Sequence, residues 1–151
     1  MEVLQAKAEE IRNRMLELSQ ADADVFNIFM NALGLPKNTD EEKAARTAAI
    51  RAAAKQAATV PLNIARSSFA VLKLADKLVV AGNQGVITDG ACSGLLARAA
   101  LRCAEYNVRI NLGLTKDEAW NAQAAADLKQ LLADAEALET SLLAVTDKAL
   151  Q

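Results

Sequence analysis

Apolar side chains recur along the first 33 residues at Leu4, Ala8, Ile11, Met15, Leu18, Val25, Phe29 and Ala32. The steps are mostly four and three, which places them on one stripe of a helix. Asp22 falls on the beat between Leu18 and Val25, where the stripe requires an apolar residue. Gly34 and Pro36 then end the helix, glycine as a C-cap and proline as a stop.

A second start signal follows at Thr39-Asp40-Glu41-Glu42, a capping box with acids in the first turn. Helix formers then dominate to Ala58. Pro61 lacks an amide donor and disfavours helical geometry at Val60, so the pattern predicts a break or strong kink there. Helix resumes to about Val80, and Gly82-Asn83-Gln84-Gly85 reads as a loop. Thr88 or Asp89 is expected to cap a third helix whose stripe is Cys92, Leu96, Ala99, Cys103, Tyr106 and Ile110, closed by Gly113. Thr115-Lys116-Asp117-Glu118 is a second capping box. It opens a last helix striped by Leu128, Leu131, Ala135, Leu138, Leu142, Val145 and Ala149.

Composition sharpens this picture. About a fifth of the 151 residues are alanine, and aromatic residues make up 3%. Such a chain is good helix material and poor strand material. The expectation is a single all-α domain over residues 1–151, an up-and-down bundle of long helices. Small residues on more than one helix face leave apolar surface that a dimer would bury, so a homodimer is expected.

Charge and residue inventory exclude much chemistry. Seventeen basic against nineteen acidic side chains give a net charge of −2, which implies no nucleic-acid surface. No apolar run is long enough for a membrane span. The chain has no histidine, which removes Ser-His triads and imidazole–metal sites, and no metal-spaced cysteine set occurs. Cys92 and Cys103 sit ~16 Å apart along one helix, too far for a disulfide, and read as reduced thiols in a cytoplasmic protein.

The remaining candidates are polar residues at odd positions. Asp22 has two readings: an acid at the stripe's edge reaching water or a lysine, or an acid in a pocket suited to proton transfer. Asn107 and Asn111 lie four apart on one face, able either to brace a heterocycle or to satisfy a neighbouring helix end. Asp89 is five turns earlier, ~27 Å away on the same helix, so it cannot share one reacting centre with them within a subunit. Arg109 points elsewhere, as a surface or interface charge. Lys37 is a cation on a rigid turn after Pro36.

Leu35-Pro36-Lys37-Asn38-Thr39, followed by Glu41-Glu42-Lys43 and Arg46-Thr47-Ala48-Ala49, resembles the cyclodeaminase/cyclohydrolase family of folate enzymes. Four further segments agree in order: Asp22 to Met30 with Phe26, Val60-Pro61-Leu62, Gly82-Asn83 with Asp89, and Asn107-Val108 with Ile110-Asn111-Leu112. The likeness covers nearly the whole chain. It implies an all-helical dimer that either closes formiminotetrahydrofolate with loss of ammonia or opens methenyltetrahydrofolate with water. It also implies Asp22 and Asp89 as catalytic carboxylates, the latter across a dimer interface, with Lys37, Asn107 and Asn111 binding substrate. No metal or redox cofactor is implied, since the tetrahydrofolate is itself the carrier. The family usually opens with a Thr-Pro-Gly-Gly-Gly-Ser segment and an alanine-rich helix. This sequence has no such segment, so a catalytically inactive folate-binding or dimerisation module is the alternative.

Overall fold

The computed structural model describes residues 2–81 and 84–151. Four helices account for nearly all of them: α1 (Glu2–Leu33), α2 (Asp40–Ala81), α3 (Ile87–Thr115) and α4 (Glu118–Ala149), with a short 3₁₀ turn at Gln84–Val86 before α3. Gly82 and Asn83 of the expected loop lie outside the described residues.

Cross-helix contacts fix the directions. Arg46 Nη2 of α2 donates to the Leu33 carbonyl of α1 at 3.1 Å, while Met15 of α1 lies beside Val71 of α2, so these two run antiparallel. Asn111 meets Ala57, and Gly90 meets Val79, so α2 and α3 also oppose each other. Arg98 pairs with Glu139 across α3 and α4 at 3.1 Å, whereas Asn121 near the start of α4 bonds Leu112 near the end of α3. The result is the expected up-and-down bundle, with α2 as a spine against which the other three pack.

The core interleaves leucines with alanines, so the helices pack close. Leu62, Ala65, Leu72 and Ala75 of α2 face Ala91, Ala97, Leu101 and Ala104 of α3, with Leu128, Ala135 and Leu142 of α4 closing the third side. Gly90 and Gly94 set the spacing. A Cβ added at Gly94 would come within 2.7 Å of Leu142 Cδ1, and one at Gly90 within 2.8 Å of Val79 Cγ2.

This arrangement reverses the expectation for α3. Its apolar stripe Cys92, Leu96, Ala99, Cys103, Tyr106 and Ile110 faces outward, with Leu96 73% and Ile110 72% exposed. The core-facing side is the row of smaller residues running from Gly90, Ala91 and Gly94 to Leu101 and Val108. Close approach to α2 and α4 selects the slimmer face. In α1 and α4 the buried positions follow the expected stripes, through Leu18, Val25 and Ala32, and through Leu128, Ala135 and Leu142.

The helix boundaries confirm some signals and correct others. Thr39 and Glu42 form the expected reciprocal box, with Glu42 N–H donating to Thr39 Oγ1 at 3.1 Å and Thr39 N–H to Glu42 Oε2 at 3.3 Å, and Asn38 N–H adds a bond to Glu42 Oε2 at 2.7 Å. At α3 neither Thr88 nor Asp89 caps: the 3₁₀ turn feeds directly into the helix, Val86 occupies the cap position and Asp89 sits in the first turn. Gly113 does not close α3. The helix continues to Thr115, and Lys116 takes the left-handed φ of 56°. Asp117 rather than Thr115 caps α4, accepting from the Trp120 N–H at 3.0 Å. Helix α2 does not break at Pro61 but runs through it, with the proline buried. Pro61 has no N–H to offer the Ala57 carbonyl four residues back, and Asn111 Nδ2 of α3 takes that oxygen at 3.0 Å instead. No helix among the described residues is long and apolar enough to cross a membrane.

Two outcomes follow. Gly94→Val forces a branched side chain against buried Leu142 and Leu72 and is expected to cost about 1–3 kcal/mol by overpacking, read as a lower midpoint in urea unfolding. The Lys55 ammonium, 2.8 Å from the Asp117 carboxylate, and the Trp120 N–H hold the Asp117 pKa below its usual 3.8. A depressed carboxylate stabilises the fold above its unfolded pKa and ceases to do so as pH falls through the folded value. The Tm gap between wild type and Asp117→Ala should therefore be constant at neutral pH and narrow below about pH 3.8.

Candidate functional site

The wide apolar groove where Leu4, Ile11 and Met15 of α1 meet Val71 and Leu78 of α2 has a volume of about 380 Å³. Its polar lining is limited to Gln5, Arg12 and Ser93, so it offers little for chemistry.

A smaller cleft of about 150 Å³ lies further along α1, and its wall is mostly polar. Asp22, Val25, Phe26 and Phe29 line it from α1, Ala57 from α2, and Asn107 and Asn111 from α3. Residues three, four and seven apart share one helix face, which explains how α1 presents its four side chains together. Val25 is buried and anchors that face, Phe29 is half-buried, and Phe26 stands 63% exposed at the mouth. Ala57 is small enough for α3 to bring Asn111 against α2.

Three of the five residues singled out in the sequence thus meet in one place. Asp22 lies on the cleft wall with its side chain open to solvent and without a hydrogen-bond or ion-pair partner among the described residues. Each of its two readings is met in part: Asp22 borders the cleft, and its side chain reaches water as an acid at the stripe's edge would. Asn111 Nδ2 donates to Ala57 O at 3.0 Å and to Asn107 O at 2.9 Å, and Asn107 Nδ2 donates to Cys103 O at 3.2 Å. The two amides therefore fasten helix backbone and line the cleft at once.

Lys37 and Asp89 are not part of this wall. Lys37 is exposed in the link between α1 and α2, without a partner among the described residues. Asp89 is exposed at the opposite end of α3, ~27 Å along the axis from Asn107. Arg109 is exposed, as expected, and reaches the buried Glu105 at 3.3 Å, which Arg102 also meets at 2.7 Å.

The other four lining residues, Val25, Phe26, Phe29 and Ala57, have no site role in the sequence reading, where Val25 and Phe29 belong to the α1 core stripe. Phe26 is one turn after Asp22, an exposed aromatic beside an out-of-pattern acid, and that pairing was the available signal. No group of three or more His, Cys, Asp or Glu among the described residues is placed to hold a metal ion.

Comparison with known proteins gives this geometry a setting. Residues 1–130 match the family model described as formiminotransferase-cyclodeaminase. A methenyltetrahydrofolate cyclohydrolase from Methylorubrum extorquens is 42% identical over 132 residues, 87% of this chain and 64% of that protein. The formimidoyltransferase-cyclodeaminase of Sus scrofa is 31% identical over 122 residues, 81% of this chain and 23% of that protein. The crystal structure of a formiminotetrahydrofolate cyclodeaminase from Thermotoga maritima superposes with a TM-score of 0.81 at 24% identity, covering 95% of this chain and 67% of that one. The chain thus spans less than two thirds of the length of these sequence relatives.

Proposed function

The chain belongs to the formiminotransferase-cyclodeaminase family, and from that premise we propose that it opens the methenyl bridge of 5,10-methenyltetrahydrofolate with water to give 10-formyltetrahydrofolate. The observation that carries this reading is the meeting of Asp22, Asn107 and Asn111 in one cleft beside two phenylalanine rings. The likeness to a cyclohydrolase at 42% identity favours hydrolysis over ring closure with ammonia loss, which is the second reading and draws on the cyclodeaminase relatives.

The proposed chemistry suits these residue types. The methenyl carbon lies between two nitrogens and carries amidinium charge. An unpaired carboxylate beside it stabilises that cation and attracts it to the cleft. In the proposed step, Asp22 takes a proton from water as its oxygen bonds to the methenyl carbon. The tetrahedral adduct then collapses with cleavage of the bond to N5. Asp22 returns its proton to N5, the adduct's hydroxyl proton passes to solvent, and the formyl group stays on N10. The electrophile is the substrate's own cation, so this mechanism calls on no resident cofactor. Asn107 and Asn111 orient the heterocycle, and the exposed Lys37 meets the anionic glutamate tail as a flexible point charge.

A homodimer completes the proposal. The outward stripe of α3 exposes Leu96, Tyr106 and Ile110 in one row, with the small Ala99 near its middle. Two copies of α3 packed antiparallel about Ala99 bring Asp89 of one chain level with residue 109 of the other, between Asn107 and Asn111. In that register Asp89 acts across the interface. The proposed compartment is the cytoplasm, in keeping with two exposed free thiols at Cys92 and Cys103.

Asp22→Asn should change the unfolding free energy by no more than about 0.5 kcal/mol, because the side chain is exposed and unpaired. It should lower kcat by ~10²–10⁴-fold for loss of methenyltetrahydrofolate followed by absorbance. Equal rates would remove Asp22 from the mechanism, and ammonia release from formiminotetrahydrofolate would favour the second reading. Leu96→Glu with Ile110→Glu should convert a sedimenting dimer to monomer. A wild-type monomer would dispose of both the dimer and the cross-chain role of Asp89.

A further inference from the structure

Pro61 is buried in the middle of α2, where a proline is costly, yet the helix continues on either side. Its missing N–H frees the carbonyl of Ala57, a residue of the cleft wall, and Asn111 fills the role of the missing donor. Asn111 has two amide N–H groups. One goes to Ala57 O at 3.0 Å and the other to Asn107 O at 2.9 Å. The amide is thereby fixed in one sense, with both hydrogens held by backbone and Oδ1 left as an acceptor. With the Asp22 carboxylate alongside, the cleft is weighted towards acceptors and selects a ligand edge that carries N–H groups or positive charge.

We propose that Pro61 is a positioning residue: the carbonyl it releases latches Asn111 so that its amide oxygen, not its nitrogen, is offered to the ligand. The identity of the ligand rests on the folate reading above, whereas the latch does not. An alanine at 61 restores a backbone N–H that competes for Ala57 O. Asn111 is then loosened, so ligand binding should weaken even though the helix regains a backbone hydrogen bond.

A double-mutant cycle followed by thermal unfolding tests the latch without any folate. Asn111→Leu in the wild-type background strands the Ala57 carbonyl and should lower Tm. The same change in a Pro61→Ala background, where the backbone satisfies that carbonyl, should lower it much less. Equal Tm losses in the two backgrounds would overturn the proposal. The ligand half is read from steady-state kinetics on methenyltetrahydrofolate. Pro61→Ala should raise KM about tenfold with a smaller change in kcat. An unchanged KM in an active Pro61→Ala enzyme would overturn the positioning role. Wild-type protein inactive on both folates would sink the proposed function, while the unfolding cycle would still decide the latch.

Discussion

Close approach between α2 and α3 is the constraint on which the rest depends. The core interleaves leucines with alanines and glycines, and the small residues let the helices come close enough for the leucines to pack without gaps. Gly90 fits under Val79, and Gly94 under Leu142 and Leu72, with no room for another carbon. That intimacy brings Asn111 within hydrogen-bond reach of the α2 backbone. The cleft exists because α1 then lies along the seam and contributes Asp22, Phe26 and Phe29 from one face.

Much of this was legible in the sequence. The 3–4 rhythm located α1, α3 and α4, while α2 was signalled by its run of helix formers and by the Thr39–Glu42 box, which marks its start to the residue. Asp22 stood out because a carboxylate interrupted an apolar stripe, and Asn107 with Asn111 because amides recurred one turn apart. What periodicity could not decide was which of two apolar rows on α3 faces its own chain. The row with larger residues, Leu96, Tyr106 and Ile110, looked like core by hydropathy, yet packing chose the row of Gly90, Gly94 and Ala97 for its slimness.

Pro61 shows a different limit. Local rules treat a mid-helix proline as a break because one carbonyl loses its donor. Whether another segment supplies that donor is a tertiary fact, and here it comes from a residue fifty positions further on. The misjudged caps at Asp89 and Thr115 have the same origin: a 3₁₀ lead-in replaced one, and the turn at Lys116 shifted the other by two residues. In each case the chemistry of the side chain was read correctly and its partner was not.

Trp120, the sole tryptophan, is half-buried in the first turn of α4 with the Lys55 ammonium 5.3 Å from its ring centroid. It is absent from the lining of the polar cleft. Its fluorescence therefore monitors whether the fourth helix is seated on the spine, as an intrinsic optical gauge of assembly separate from ligand occupancy.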